Sequence, residues 1–167
     1  STSLSYTLEN ALPIAPEDLS PSYYNYYPQV LVAMENFSFY GVEGKAKNWL
    51  EFGDWINDAL LEGRNEVTDE TKQEVLGITA NLDDPIEKAK AVFQFVQENT
   101  RYISVQVGIG GVQPIPALEV DQLKYGDCKG LTNYTKSLLE VVGVTSYYCV
   151  VEAGKEIDFH ISTNIKK

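Results

Sequence analysis

The feature that most constrains this chain is the segment from Tyr125 to Gly143. Tyr125-Gly126-Asp127 reads as a turn, and Leu131, Thr135, Leu138, Leu139 and Val142 then recur at three- and four-residue intervals, the spacing of one helix face. Gly143 supplies the C-terminal stop. Cys128 starts the same stripe, three residues before Leu131. The spacing therefore predicts an amphipathic helix over 127–143 that must bury one face in a core and that opens on a thiol.

Other elements follow from similar punctuation. Trp49, Phe52, Ile56, Leu60 and Leu61 share a face of an expected helix over 44–63 ending at Gly63, with Trp49 and Trp55 assigned to the core or a domain interface. Thr68, followed by acidic residues, suits the start of a helix over 68–80. Asp84-Pro85 starts another over 84–99, with Ile86, Ala89, Val92, Phe93 and Val96 as its apolar stripe. Arg101–Val107 is β-branched and aromatic enough for a strand, and 108–116 reads as a loop without phosphate-binding spacing. Val144–Val151 and Ile157–Ile161 are expected strands around a turn at 153–155. Residues 1–43 form a β-rich connector or the tail of a preceding domain: Leu4–Leu8 and Val30–Ala33 are candidate strands, Tyr23–Tyr27 an aromatic loop, and Phe37–Tyr40 a sheet edge. The fold class implied is α+β, helices packed on an antiparallel sheet, with the main domain over 44–167.

Composition excludes some functions. At 167 residues with 44% apolar content the chain can bury a core, and no run has the length of a membrane-spanning helix, so no stable membrane insertion is expected. Thirteen basic against twenty-four acidic residues give a formal charge of −11, which repels phosphate backbones and argues against a nucleic-acid partner. The acidic residues are dispersed and read as a solvated face. One histidine and two separated cysteines do not make a zinc site, so neither metal nor cofactor is expected.

The two cysteines differ. Cys149 lies in Ser146-Tyr147-Tyr148-Cys149-Val150-Val151, where a thiol reads as a small buried hydrophobe. Cys128 sits where unpaired N–H groups and the positive end of the helix dipole favour thiolate and can hold an oxyanion, the chemistry of a nucleophile. The competing reading is a small residue filling a helix start. Lys129 is either a charge aiding the thiol or a surface lysine. Tyr102, Gln106 and Gln113 are upstream candidates for an oxyanion donor, with packing or solvation as the simpler account.

Three strings carry a family resemblance: Asn99-Thr100-Arg101-Tyr102-Ile103-Ser104-Val105, Gly108-Ile109-Gly110-Gly111-Val112-Gln113-Pro114, and Tyr125-Gly126-Asp127-Cys128-Lys129-Gly130-Leu131-Thr132-Asn133, with Trp49–Trp55 as a lead-in helix. Over roughly 37–152 the chain resembles the transglutaminase-like domains of bacterial, Bacteroidetes-type extracytoplasmic proteins. That resemblance implies a papain-like core, a cysteine–histidine–aspartate triad, a protein or peptide substrate, further domains in a longer chain, and a periplasmic or extracellular location. Cys128 would attack an amide carbonyl and form a thioester, resolved by water in a peptidase or amidase, the favoured outcome, or by an amine in a transglutaminase.

The sequence departs from the pattern at the base. His160, the only histidine, follows Phe159 where the family has an asparagine, and it lies closer to the cysteine than the family's histidine. Asp158 precedes it, on the wrong side in sequence for the family's acid. Either His160 is the base in a shortened hairpin, or the base and acid lie beyond Lys167 in a longer chain, the preferred alternative. The rival from another class is a non-catalytic protein- or glycan-binding module, or an inactive fragment, that keeps the fold.

Overall fold

A computed structural model describes residues 5–15, 17–20, 28, 30 and 32–151. These fall into two compact units, one within 1–32 and one from Ala33 onward, and each is taken by itself. The first has no helix or strand among its described residues, so residues 5–8 do not form the expected strand, nor do Val30 and Val32; Ala33, which opens the second, is not strand either. Its β-propensity lacks a paired neighbour. The Tyr23–Tyr27 cluster lies outside the described residues.

The second unit begins with an antiparallel hairpin, β1 (Asn36–Phe39) and β2 (Val42–Lys45), with Phe39 opposite Val42. Tyr40 and Gly41 both have positive φ, 50° and 90°, the handedness that matches strand twist in a two-residue turn. The Phe37 ring lies over Gly44 so closely that a Cβ there would come within 2.2 Å of it, so this position requires glycine. Phe37 also meets Phe52 and Trp55 edge-on at centroid separations of 5.6 and 4.9 Å, and the Trp55 indole donates to the Glu43 carbonyl at 2.9 Å.

These contacts seat α1 (Trp49–Trp55) on the hairpin. Asn48 caps it by accepting from the Glu51 N–H at 3.0 Å, and Glu51 reaches back to the Lys47 N–H at 2.8 Å, a reciprocal cap. The helix expected from residue 44 therefore starts at 49, because Gly44 and Lys45 belong to β2. It widens into a π-helical turn over Ile56–Leu61 before Gly63, whose φ is +70°. Trp49 is 65% exposed, so of the two expected places, core or domain interface, it is not in the core; Trp55 carries the packing on the hairpin.

Next come α2 (Asp69–Thr79) and α3 (Pro85–Asn99), capped as expected by Thr68 and by Asp84 ahead of Pro85. The buried face of α3 is Val92, Phe95 and Val96, while Ile86 and Phe93 of the expected stripe are exposed. A short helix, α4 (Ala117–Leu123), follows where no element was expected. The last helix, α5 (Cys128–Val141), ends at Gly143 with φ +75°. It packs against α2, α3 and α4, and Val75, Val92, Ala117, Val120, Tyr134 and Leu138 close the core completely. Each such side chain contributes about 1.5–3 kcal/mol by burial, tyrosine and alanine aside.

The sheet is smaller than expected. Only Arg101–Tyr102 of the run to Val107 is strand (β3), and it pairs in parallel with β4 (Tyr125–Gly126). Gly108–Gly111 is a 3₁₀ turn. Val144–Val151 is not strand, because among the described residues no neighbour completes a ladder along it. The fold class is mixed α+β, and among the described residues its strands are one antiparallel hairpin and one short parallel pair rather than a continuous antiparallel sheet. The expected strand over Ile157–Ile161, with Asp158 and His160, lies outside the described residues. No helix among the described residues is long and apolar enough to cross a membrane.

Candidate functional site at the start of helix α5

The chain reaches α5 through a sharp reversal. Lys124 ends α4 with a left-handed φ of 57°, costly for a residue with a Cβ, and its carbonyl accepts from the Arg101 N–H at 2.9 Å. The Gly126 carbonyl in turn accepts from the Ile103 N–H at 3.0 Å. These bonds fix β4 and so aim the residues that follow. Gly126 is needed for closeness: a Cβ would meet Val120 Cγ2 at 3.3 Å and Leu131 at 3.4 Å.

Asp127 caps α5. It is 1% exposed, its Oδ1 accepts from the Gly130 N–H at 2.8 Å, and its Oδ2 is ion-paired with the Lys129 ammonium. Lys129, with a side chain 13% exposed, is thus a half-buried partner of the cap rather than a freely solvated lysine. Its charge offsets that of Asp127, which otherwise would oppose negative charge on the neighbouring sulfur. Gly130 lets the cap approach, since a Cβ would sit 3.4 Å from both Asp127 Oδ1 and Ile115 Cβ.

Cys128 is the first residue of α5 and is exposed and unbridged. The Gly130 and Leu131 N–H groups go to the Asp127 side chain and carbonyl, at 2.8 and 2.9 Å. Among the described residues those of Cys128 and Lys129 have no acceptor, so two donors remain beside an accessible sulfur. The Cys128 carbonyl accepts from Thr132 Oγ1 at 2.6 Å.

A groove of about 560 Å³ opens between α3 and α5, lined by Phe93, Val96, Leu131, Thr132, Leu139 and Ser146 among others. Thr132 places one end of it a helical turn from Cys128. Tyr102 also lines it and is 59% exposed. Gln113 gives one amide hydrogen to the Ala59 carbonyl at 3.4 Å, and Gln106 is exposed. Cys149 is exposed, against the expectation of a buried thiol, since the run containing it joins no sheet. His160 lies outside the described residues.

Two features escaped the sequence reading. Tyr148 is 8% exposed, and its phenol is pushed up to about 12 by burial first and then by the negative charges of Cys128 and Asp127. Asp121 on α4 is 2% exposed and accepts five hydrogen bonds: from Thr68 N and Oγ1 at 2.9 and 2.7 Å, Thr71 Oγ1 at 2.7 Å, Lys124 Nζ at 2.9 Å and Tyr134 Oη at 2.9 Å. Burial opposes its ionisation, but the bonds from Thr68, Lys124 and Thr71 outweigh that and hold the carboxyl well below the usual range. Tyr134 is pushed the other way, by burial and by donating to that carboxylate. Asp121 ties the start of α2 to α4 and α5 and thereby holds the helices around Cys128.

No family model matches the chain, and neither the curated proteins nor the solved structures contain a match.

Proposed function

We propose that the protein is a cysteine-dependent acyl-transfer enzyme acting on amide bonds, built on a transglutaminase-like, papain-like core, with Cys128 as nucleophile. The observation that carries this reading is the exposed Cys128 at the first position of a fourteen-residue helix, beside two N–H groups that have no acceptor among the described residues. The sulfur attacks the carbonyl of a protein or peptide substrate, and the oxyanion is held by the Cys128 and Lys129 N–H groups. Collapse releases an amine and leaves a thioester, which water resolves in the favoured, hydrolytic outcome. A base must take the thiol proton and return it to the leaving amine; His160 is the candidate within this sequence, and a histidine following Lys167 is the alternative. A periplasmic or extracellular setting belongs to the same proposal.

The test uses the two thiols against each other. Both are exposed, so a difference in alkylation rate reports activation and not access. Iodoacetamide near neutral pH should label Cys128 faster than Cys149, and p-nitrophenyl acetate should acylate Cys128 but leave a Cys128→Ser variant unmodified at that position. Faster labelling of Cys149 would sink the proposal and leave a non-catalytic binding module as the better account.

A further inference from the structure

The groove between α3 and α5 starts beside the thiol. Leu131, Thr132, Thr135 and Leu139 line it, and they follow Cys128 at the spacing of one helix face. Thr132 Oγ1 donates to the Cys128 carbonyl at 2.6 Å, which fixes the near end of the groove one helical turn from Cys128. Tyr102, which also lines it, stands opposite Gly126 in the β3–β4 register, two residues before Cys128. The exposed Cys128 is therefore at the head of a trough of about 560 Å³ that runs down α5.

Its walls are apolar and open. Phe93 and Val96 come from α3, Leu131 and Leu139 from α5, and Tyr147 from the chain beyond Gly143. Phe93 is 55% exposed and Tyr147 50%, so apolar side chains laid between them release water from both rings. No lining residue is acidic, and the one that carries charge is the half-buried Lys136. Every other described lysine has a carboxylate or a carbonyl partner, whereas Lys136 has none among the described residues. In a chain of formal charge −11 the trough thus has the opposite sign, and its cation is free to pair. It fits a ligand that is apolar along its length and anionic at one point.

We propose that the groove holds the substrate of Cys128 as an extended peptide: two apolar side chains next to the reacting amide lie between α3 and α5, and an aspartate or glutamate carboxylate pairs with Lys136. This rests on the proposed role of Cys128. Lys136 is eight positions beyond Cys128, a rise of about 12 Å. An extended peptide covers that distance in about three to four residues, at roughly 3.3 Å each. A helical side chain leans toward the N-terminus, which shortens the span, so the carboxylate belongs to the third residue from the amide. Thr132 and Thr135 donate their hydroxyl hydrogens to the Cys128 and Leu131 carbonyls, and their lone pairs are left to accept from peptide N–H groups.

The experiment uses the full chain carrying Cys149→Ser, so that Cys128 is the one thiol. Its alkylation is timed with iodoacetyl-Leu-Leu-Glu amide, iodoacetyl-Leu-Leu-Gln amide and iodoacetyl-Gly-Gly-Gln amide. Each rate is divided by that of iodoacetamide with the same variant, which cancels any change in the thiol itself. The leucine pair should speed the reaction about tenfold over the glycine pair. Glutamate should add about threefold over glutamine, an advantage that added salt reduces. Lys136→Gln should erase the glutamate advantage and Lys136→Glu should reverse it, while Phe93→Ala, at an exposed ring, should reduce the leucine advantage. Circular dichroism checks the fold of each variant. Equal rates for the glutamate and glutamine peptides in the parent overturn the proposal, as does a glutamate advantage that survives in Lys136→Gln. A leucine advantage that fades as protein concentration rises assigns the groove to a second copy of the chain and overturns it too. If the peptide preferences hold while p-nitrophenyl acetate leaves Cys128 unacylated, the groove stands as a peptide site and the acyl-transfer reading falls.

Discussion

Asp121 and Asp127 are equally sealed from solvent, and each has a lysine partner close in sequence, yet they serve opposite ends. Asp121 is saturated: five donors from three helices and a helix start converge on its two oxygens. Asp127 accepts one backbone N–H and one ammonium, and the N–H groups of Cys128 and Lys129 next to it have no partner among the described residues. A fully satisfied carboxylate rigidifies its surroundings, whereas the cap holds a helix start and leaves donors for a ligand. The contrast separates what keeps the protein folded from what the proposal makes reactive.

The largest expected effect breaks the first half of that contrast. Asp121→Ala strands the Thr68, Thr71, Tyr134 and Lys124 donors and should lower unfolding free energy by about 3–5 kcal/mol, read from urea denaturation. A loss below about 1 kcal/mol would show that the network is not a staple. Acid should reproduce part of it. The folded-state pKa of Asp121 is depressed, so its stabilisation is complete above the unfolded value of about 4 and is lost as pH falls below it toward the folded value. The urea midpoint should decline below pH 4 in the parent and less steeply in Asp121→Asn. A smaller effect sharpens the second half: Asp127→Ala removes one cap and should cost about 1 kcal/mol, while cutting Cys128 alkylation or acylation far more than stability. The smallest belongs to the exposed thiol, where Cys128→Ser should shift stability by less than about 0.5 kcal/mol and yet abolish acylation at that position.

The same pair shows what the sequence makes legible. Asp127 could be located because it belongs to a local signal, a turn and a helix start on adjacent residues; the Thr68 and Asp84-Pro85 caps were readable for the same reason. Asp121 could not, because two of its partners, Thr68 and Thr71, lie some fifty positions away and an aspartate in an acidic chain reads as solvated. Helix α4 was hidden for a related cause: it has seven residues, begins behind Pro114-Ile115-Pro116 and has no side-chain cap. The run 144–151 has strand composition, but composition does not supply a neighbour, and without a ladder Cys149 emerges at the surface while Tyr148 is buried.

The left-handed Lys124 leaves only Tyr125, Gly126 and Asp127 between α4 and the sulfur. A tether that short transmits displacement with almost no slack. An inserted residue anywhere along it would have to displace Gly126 from Val120 and Leu131 or Asp127 from the helix start, so the position of the thiol and the integrity of the fold are tied to the same three residues.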